Sequence, residues 1–200
     1  MRDPASAEFL VVENNGVLVL SLSSKDGTNR LTASKVMALT REIRSLAQNS
    51  PLTALVIAGE PAFSAGADLQ EIAQLDGPGA VAFARMGQDL MNEVANYPAP
   101  VYAAVRGYCM GGGLDLALAC RNRIASPHAV FGHRGAALGL MTGWGGTQRL
   151  PRLVGKARAL QMFVAAEKLH AAEALRIGLI DAVAEDPVAE ALKLASAQSS

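Results

Sequence analysis

Three consecutive glycines, Gly111-Gly112-Gly113, stand between an apolar run, residues 101–105, and a stretch of helix-forming composition, residues 114–120. Glycine loses more backbone freedom on folding than any other residue. A triplet at a strand-to-helix junction therefore reads as a backbone that must take unusual angles or approach something closely; tight helix–strand packing would also account for it. A second small-residue segment, Phe63-Ser64-Ala65-Gly66-Ala67-Asp68-Leu69, likewise follows an apolar run and precedes a helical stretch. Asp68 can cap that helix and leave nearby N–H groups free to face an anion or a carbonyl oxygen, although a plain strand-to-helix turn has the same composition. Two such turns can direct two amide donors at one oxygen. That is the arrangement of an oxyanion hole, where one donor stabilises developing charge by roughly 3 kcal/mol.

Neither segment is a nucleotide motif. Counted from Gly111, the third glycine of a G-x-G-x-x-G fingerprint falls on Leu116, and counted from Gly143 it falls on Gln148. Gly155-Lys156-Ala157 lacks the hydroxyl of a P-loop, and Leu150 stands where the first glycine belongs.

The rest of the chain alternates strand and helix signals. Residues 8–21 read as a hairpin around Asn15-Gly16. Residues 32–48 read as a helix capped by Thr32, with Val36, Leu39, Ile43 and Leu46 on one face. After Pro51 comes an apolar strand, 52–58, then a helix over 79–97 stopped by Pro98 and Pro100, and the strand 101–105. Short strands are expected at 123–125 and 129–131. Helical sequence follows at 145–166, interrupted near Pro151 and Gly155, and a helix over 169–177 precedes a strand at 179–183. This order predicts an α/β fold with mostly parallel strands. The small, polar residues 195–200 are expected to fray.

Composition bounds the rest. The 200 residues are half hydrophobic and carry no formal net charge, as befits one soluble domain with a sizeable core. No charge surplus points to nucleic acid or an anionic membrane as partner. Cys109 and Cys120 form no CxxC pair, so neither a metal site nor a disulfide framework is expected, and a reducing cytoplasm is the natural compartment. Residues 1–6 carry no secretory signal, and the longest apolar stretch, 101–120, is broken by Arg106, the glycine triplet and Asp115.

The first small-residue segment resembles the Phe-x-Ala-Gly-Ala-Asp-Leu/Ile pattern of the enoyl-CoA hydratase/isomerase (crotonase) superfamily. Residues 104–117 resemble that family's Ala-Val-x-Gly-x-x-x-Gly-Gly-Gly-x-Glu/Asp-Leu-Ala. Gly145-Gly146-Thr147-Gln148-Arg149-Leu150, Asn29-Arg30-Leu31 and residues 172–181 resemble three further family segments, in register and in order. The resemblance implies a spiral of ββα units forming two sheets surrounded by helices. It implies an acyl-CoA as substrate, with no separate cofactor. The N–H groups of Ala67 and Gly112 would hold the thioester carbonyl. Ala65, Gly66, Ala67, Asp68 and Leu69 would line the CoA path, with Lys25 as a phosphate contact unless it is simply a solvated lysine. Gly111 belongs to the same cradle, Tyr108 and Met110 sit where the acyl group should lie, and Trp144 could wall its pocket or serve only the core. A homo-oligomer, trimer or dimer of trimers, is also implied.

The chain departs from the family pattern in its acid/base residues. Family hydratases use two glutamates to hold and split one water. The first position is Asp115, one methylene shorter; its plainer role is that of an acid at a helix N-terminus. The second position is Gly135, within Phe131-Gly132-His133-Arg134-Gly135, and a third carboxylate position near Gly143 is also empty. Relatives with glycine at the second position are thought to use a bound bicarbonate, and His133 or Arg134 could help hold such an anion. Their plainer readings are a packing histidine with a satisfied ring and a solvated arginine. Asp115 is thus expected to be the single proton-moving group. The family's C-terminal helical segment is expected to be largely missing, with a core over 1–185 and only its start in 186–200. The activity expected is hydration or isomerisation of an enoyl-CoA. The alternatives are a thioester hydrolase or carbon–carbon bond enzyme using a bound anion, and a non-catalytic CoA-thioester binder.

Overall fold

The structure, a computed structural model, describes residues 8–50 and 53–197. Alternating apolar residues around Asn15-Gly16 fold into an antiparallel hairpin, β1 (Phe9–Asn14) and β2 (Val17–Leu22), in register from Phe9↔Leu22 to Asn14↔Val17. Helix α1 (Ala33–Asn49) follows, and its Thr32 hydroxyl accepts the Lys35 N–H as expected of a cap. Next come β3 (Leu55–Gly59), the single turn α2 (Leu69–Ile72) and α3 (Gly77–Ala95), the last capped by Asp76. Then follow β4 (Val101–Val105), β5 (Tyr108–Met110) and α4 (Gly112–Ala119). Strands β6 (Asn122–Ala125) and β7 (Val130–Gly132) lead through a 3-10 turn, Gly135–Leu138, to α5 (Gly146–Val154) and α6 (Lys156–Ala165). The described chain closes with β8 (Leu169–His170), α7 (Ala171–Arg176), β9 (Ala182–Val183) and α8 (Pro187–Ala197).

The main sheet runs in the order β1-β2-β3-β4-β6-β9, parallel from β2 onward. Every residue of β3 and β4 is buried, because helices cover both faces, and this is why both read as unbroken apolar runs. A smaller sheet, β5-β7-β8, forms a second layer. Isolated bridges Leu31↔Ala67 and Ser64↔Cys109 carry that layer back to the segments after β2 and β3. The chain therefore climbs in repeated turns of main-sheet strand, second-layer strand and helix, the ββα spiral expected from the sequence. Both candidate loops lie where a second-layer strand hands over to a helix.

Several boundaries differ from expectation. Pro151 lies inside α5 rather than breaking it, and the break falls at Gly155. The helix expected over 169–177 splits, because Leu169 is buried and pairs with Phe131 at the edge of the small sheet. Of the strand expected at 179–183, only Ala182 and Val183 pair, with β6. The tail does not fray from residue 195: α8 runs to Ala197, and Ala191 and Ala195 are buried in a cluster with Tyr102 and Ile124. Alanines at that spacing let a helix settle closely on a sheet. Residues 1–6, Pro51, Leu52 and 198–200, which also figured in the expectations, lie outside the described residues. Among the described residues no helix is long and apolar enough to cross a membrane.

Candidate active site

The loop after β3 is held on both sides before it reaches Ala67. The buried Ser64 hydroxyl donates to the Asn29 carbonyl at 2.8 Å and accepts the Gly66 N–H at 3.1 Å. Asn29 Nδ2 donates to the Ala62 carbonyl at 2.7 Å, and the Leu31 N–H donates to the Gly66 carbonyl at 2.9 Å. Gly66 has φ of 94°, and a Cβ there would lie 2.6 Å from the Met110 carbonyl oxygen, so only glycine fits. With these bonds made, the Ala67 N–H has no acceptor among the described residues.

The glycine triplet splits into three jobs. Gly111, at φ 50° and ψ −120°, turns the chain from β5 into α4. Gly112 is the first residue of α4, where an N–H has no acceptor within its own helix. A Cβ on Gly112 would lie 3.3 Å from Ala67 N, so the two amides are neighbours; on its other side it would meet Trp144 Cζ3 at 2.4 Å. A Cβ on Gly113 would lie 2.7 Å from Ser64, which makes that glycine a packing residue. Unusual angles and close packing, the two explanations open from sequence, both apply, at different members of the triplet.

These amides open onto a mostly apolar cavity of about 480 Å³, a usual size for a small-molecule site. Leu69, Ile72, Phe83, Leu138, Met141 and Trp144 form its walls, and Ala65, Ala67, Gly111, Gly112 and Gly135 also line it. Trp144 is fixed there: its Nε1 donates to the Phe83 carbonyl at 3.2 Å, its ring lies 5.2 Å from that of Phe83, and Gly87 on α3 leaves room for it. A second, polar cavity of about 380 Å³ is lined by Lys25, Arg30, Lys35 and Asp68, among others. The two abut at the start of α2, where Asp68 lines the second and its neighbours Ala67 and Leu69 the first. The Asp68 carboxylate caps α2 through the N–H groups of Gln70 and Glu71. Lys35 Nζ donates to the Ser23 carbonyl at 2.8 Å, and burial lowers its pKa.

Asp115 sits in the first turn of α4, with its own N–H bonded to the Gly111 carbonyl at 3.0 Å. Only 1% of it is exposed. The Thr142 hydroxyl donates to its Oδ2. Its Oδ1 lies 3.3 Å from His133 Nε2, close enough for an ion pair, yet the two atoms lack the alignment of a hydrogen bond and both are buried without a partner. Here the structure corrects the sequence reading: His133 is buried against Phe163, but its ring is not satisfied, and it lines the cavity beside Asp115. Thr142, Phe83, Leu138 and Met141 carried no sequence signal.

The other expected residues are placed as follows. Met110 lines the cavity, whereas Tyr108 does not; it is 51% exposed, with Lys168 Nζ 5.7 Å from its ring centroid. Lys25 lines the polar cavity. Gly135 begins the 3-10 turn and accepts the Leu140 N–H at 2.8 Å; a Cβ there would lie 2.7 Å from the Leu140 carbonyl oxygen. A side chain at this position would therefore require the Leu140 backbone to shift. Arg134 is exposed at the cavity. Neither cysteine is a candidate nucleophile: both are buried and free, and burial pushes the Cys120 thiol up to about 12 and that of Cys109 well above its ordinary value.

Residues 12–198 match the family model described as enoyl-CoA hydratase/isomerase. Among solved structures, DspI of Pseudomonas aeruginosa is 33% identical, with a TM-score of 0.90 over 97% of this chain and 77% of that one. An enoyl-CoA hydratase from Bacillus anthracis is 31% identical, with a TM-score of 0.90 over 95% of this chain and 76% of that one. One from Thermoplasma volcanium is 31% identical, with a TM-score of 0.89 over the same shares, 95% and 76%. The match to the family model covers nearly the whole chain, and its two glycine-rich turns meet at one cavity: the protein belongs to the enoyl-CoA hydratase/isomerase family.

Proposed function

We propose that the protein binds an acyl-CoA thioester and stabilises its enolate, with the carbonyl oxygen held by the N–H groups of Ala67 and Gly112. The observation that carries this reading is the pairing of two neighbouring, unengaged amides with a buried carboxylate, Asp115, in one apolar cavity. Amides fixed in place need no reorganisation when charge develops on the oxygen, so they favour the enolate over the thioester. The pantetheine arm would pass Ala65–Leu69, and the phosphates would lie toward Lys25, Arg30 and Lys35. Shift of a double bond needs one group to move a proton between carbons; hydration by two carboxylates needs a second acid, and Gly135 supplies none, with a Cβ there crowding the Leu140 carbonyl. Isomerisation is therefore the activity the geometry supports best. A thioester or carbon–carbon bond reaction using a bound anion is the second reading, favoured by one observation: Arg134 is exposed at the cavity next to Gly135. A cytoplasmic homo-oligomer is part of the same proposal.

Turnover against a panel of enoyl- and acyl-CoA thioesters, paired with a binding titration, tests this. Asp115→Asn is expected to lower turnover by about 100-fold or more and to leave thioester affinity within a few-fold, because the oxygen's ligands are backbone. Binding without turnover in the parent would make the protein a CoA-thioester binder instead.

A further inference from the structure

The Asp115 carboxylate, the group expected to move the proton, lines the cavity but is almost wholly enclosed. One oxygen receives the Thr142 hydroxyl and the other is enclosed, with His133 Nε2 3.3 Å away. A Cβ on Gly146 would lie 2.2 Å from Asp115 Oδ1 and 2.8 Å from His133 Nε2, so the backbone of α5 closes over the pair. A carboxylate buried this deeply is costly unless a hydrogen bond or a positive charge meets each oxygen, and Oδ1 has no bond in the structure as it stands. The nearby imidazole can supply either. Its second nitrogen, Nδ1, is not among the enclosed, unpartnered atoms, and His133 lines the same cavity as Gly112. The other charged groups around the pair are Arg149, which interacts electrostatically with Asp115, and the exposed Arg134 next to His133.

We propose that His133 is the residue that takes and returns the substrate proton, and that Asp115 acts through it as a positioning residue. This rests on the acyl-CoA reading above. Neutral His133 turns Nε2–H toward Asp115 Oδ1 and presents the Nδ1 lone pair to the cavity. Nδ1 takes a proton from the carbon next to the thioester carbonyl. The C–H bonding pair becomes the carbon–carbon double bond of the enolate, and the carbonyl π pair moves to the oxygen facing Ala67 and Gly112. The imidazolium so formed pairs with the Asp115 carboxylate. In a 3-enoyl thioester it returns the proton to the fourth carbon, and the double bond moves to the 2-position with nothing gained or lost. In a saturated thioester it exchanges its proton with solvent and returns one to the same carbon. The imidazole thereby takes over the work of the carboxylate that Gly135 does not supply.

The test follows exchange of the α-protons of butyryl-CoA in D2O by proton NMR, with affinity measured separately by calorimetry. The parent is expected to bind and exchange. His133→Gln, an amide of similar size that cannot relay a proton, should slow exchange by about 100-fold or more while the Kd stays within about threefold. His133→Ala should be equally slow, and added imidazole should restore part of its rate, which a purely structural role would not allow. Exchange in His133→Gln within about threefold of the parent, with loss only in Asp115→Asn, would overturn the assignment to His133 and leave the acyl-CoA reading standing. Loss in both His133 variants with no rescue by imidazole would also overturn it. A parent that neither binds nor exchanges butyryl-CoA would overturn both.

Discussion

Gly112→Ala isolates the close approach on which the proposed carbonyl site depends. The added methyl would lie 2.4 Å from Trp144 Cζ3 and 2.6 Å from Cε3, well inside contact distance. Trp144 cannot swing away, because its Nε1 is bonded to the Phe83 carbonyl and α3 passes behind it at Gly87. Overpacking of this kind costs about 1–3 kcal/mol. Replacing glycine by alanine in a helix returns at most about 1 kcal/mol. The net loss of about 0–2 kcal/mol corresponds to a fall in Tm of up to roughly 8 °C for a chain of this size. The same methyl would stand 3.3 Å from Ala67 N, in the space a carbonyl oxygen would use, and losing one such donor lowers kcat by roughly 100- to 1,000-fold. Trp144→Phe separates the two effects, since it removes the benzo ring that carries Cζ3 and Cε3. In that background Gly112→Ala should be close to neutral in thermal unfolding followed by circular dichroism, yet turnover of the best acyl-CoA should stay low. An equal stability loss in both backgrounds would show that the Trp144 contact is not its cause. Recovery of turnover in the double variant would remove the Gly112 N–H from the carbonyl site.

Two further outcomes follow from the same geometry. Gly135→Glu restores a carboxylate on paper, but its Cβ would lie 2.7 Å from the Leu140 carbonyl, so it should lower Tm and leave hydration of crotonyl-CoA no faster than in the parent; a clear gain would show that the loop yields easily. Asp26 is held at a pKa of about 2, first by the Thr28 hydroxyl, then by the Thr28 N–H, the Ser24 hydroxyl and Arg30. Its folded pKa is depressed, so its contribution is present above the ordinary carboxylate range and is lost as pH falls toward about 2. Asp26→Asn should therefore flatten the Tm profile between about pH 4 and 2, and an unchanged acid limb would discount those bonds.

The elements legible in the sequence are those whose causes are local. The Asn15-Gly16 turn, the Thr32 cap and the apolar runs of β3 and β4 each need only neighbouring residues to specify them, and each lies close to where it was expected. The glycine-rich turns were legible for a related reason: positive φ at Gly66 and Gly111 leaves few other choices of residue. What escaped was set by contacts across long stretches of chain. Leu169 reads as helical until β7 offers it a partner, and Ala195 reads as part of a frayed tail until a sheet face lies beneath it. The environment of His133 belongs to the same class. It depends on Asp115, eighteen residues earlier, and on Gly146, thirteen later, and no local pattern joins the three.

These long-range contacts also bear on what the departures from the two-glutamate pattern mean together. A site that had only lost an acid would keep a space where the acid belonged. Here the Leu140 carbonyl fills the approach to Gly135, and α5 packs so closely over Asp115 Oδ1 and His133 Nε2 that residue 146 has room only for glycine. Thr142 supplies a hydroxyl that suits the shorter acid, and the oxygen left over faces an imidazole. Each substitution alone would be a defect, an acid too short, an acid missing, a histidine unsatisfied. Set together in one cavity, the short acid and the ring lie 3.3 Å apart, Gly146 lets α5 close over both, and the ring is placed to answer the oxygen that has no bond.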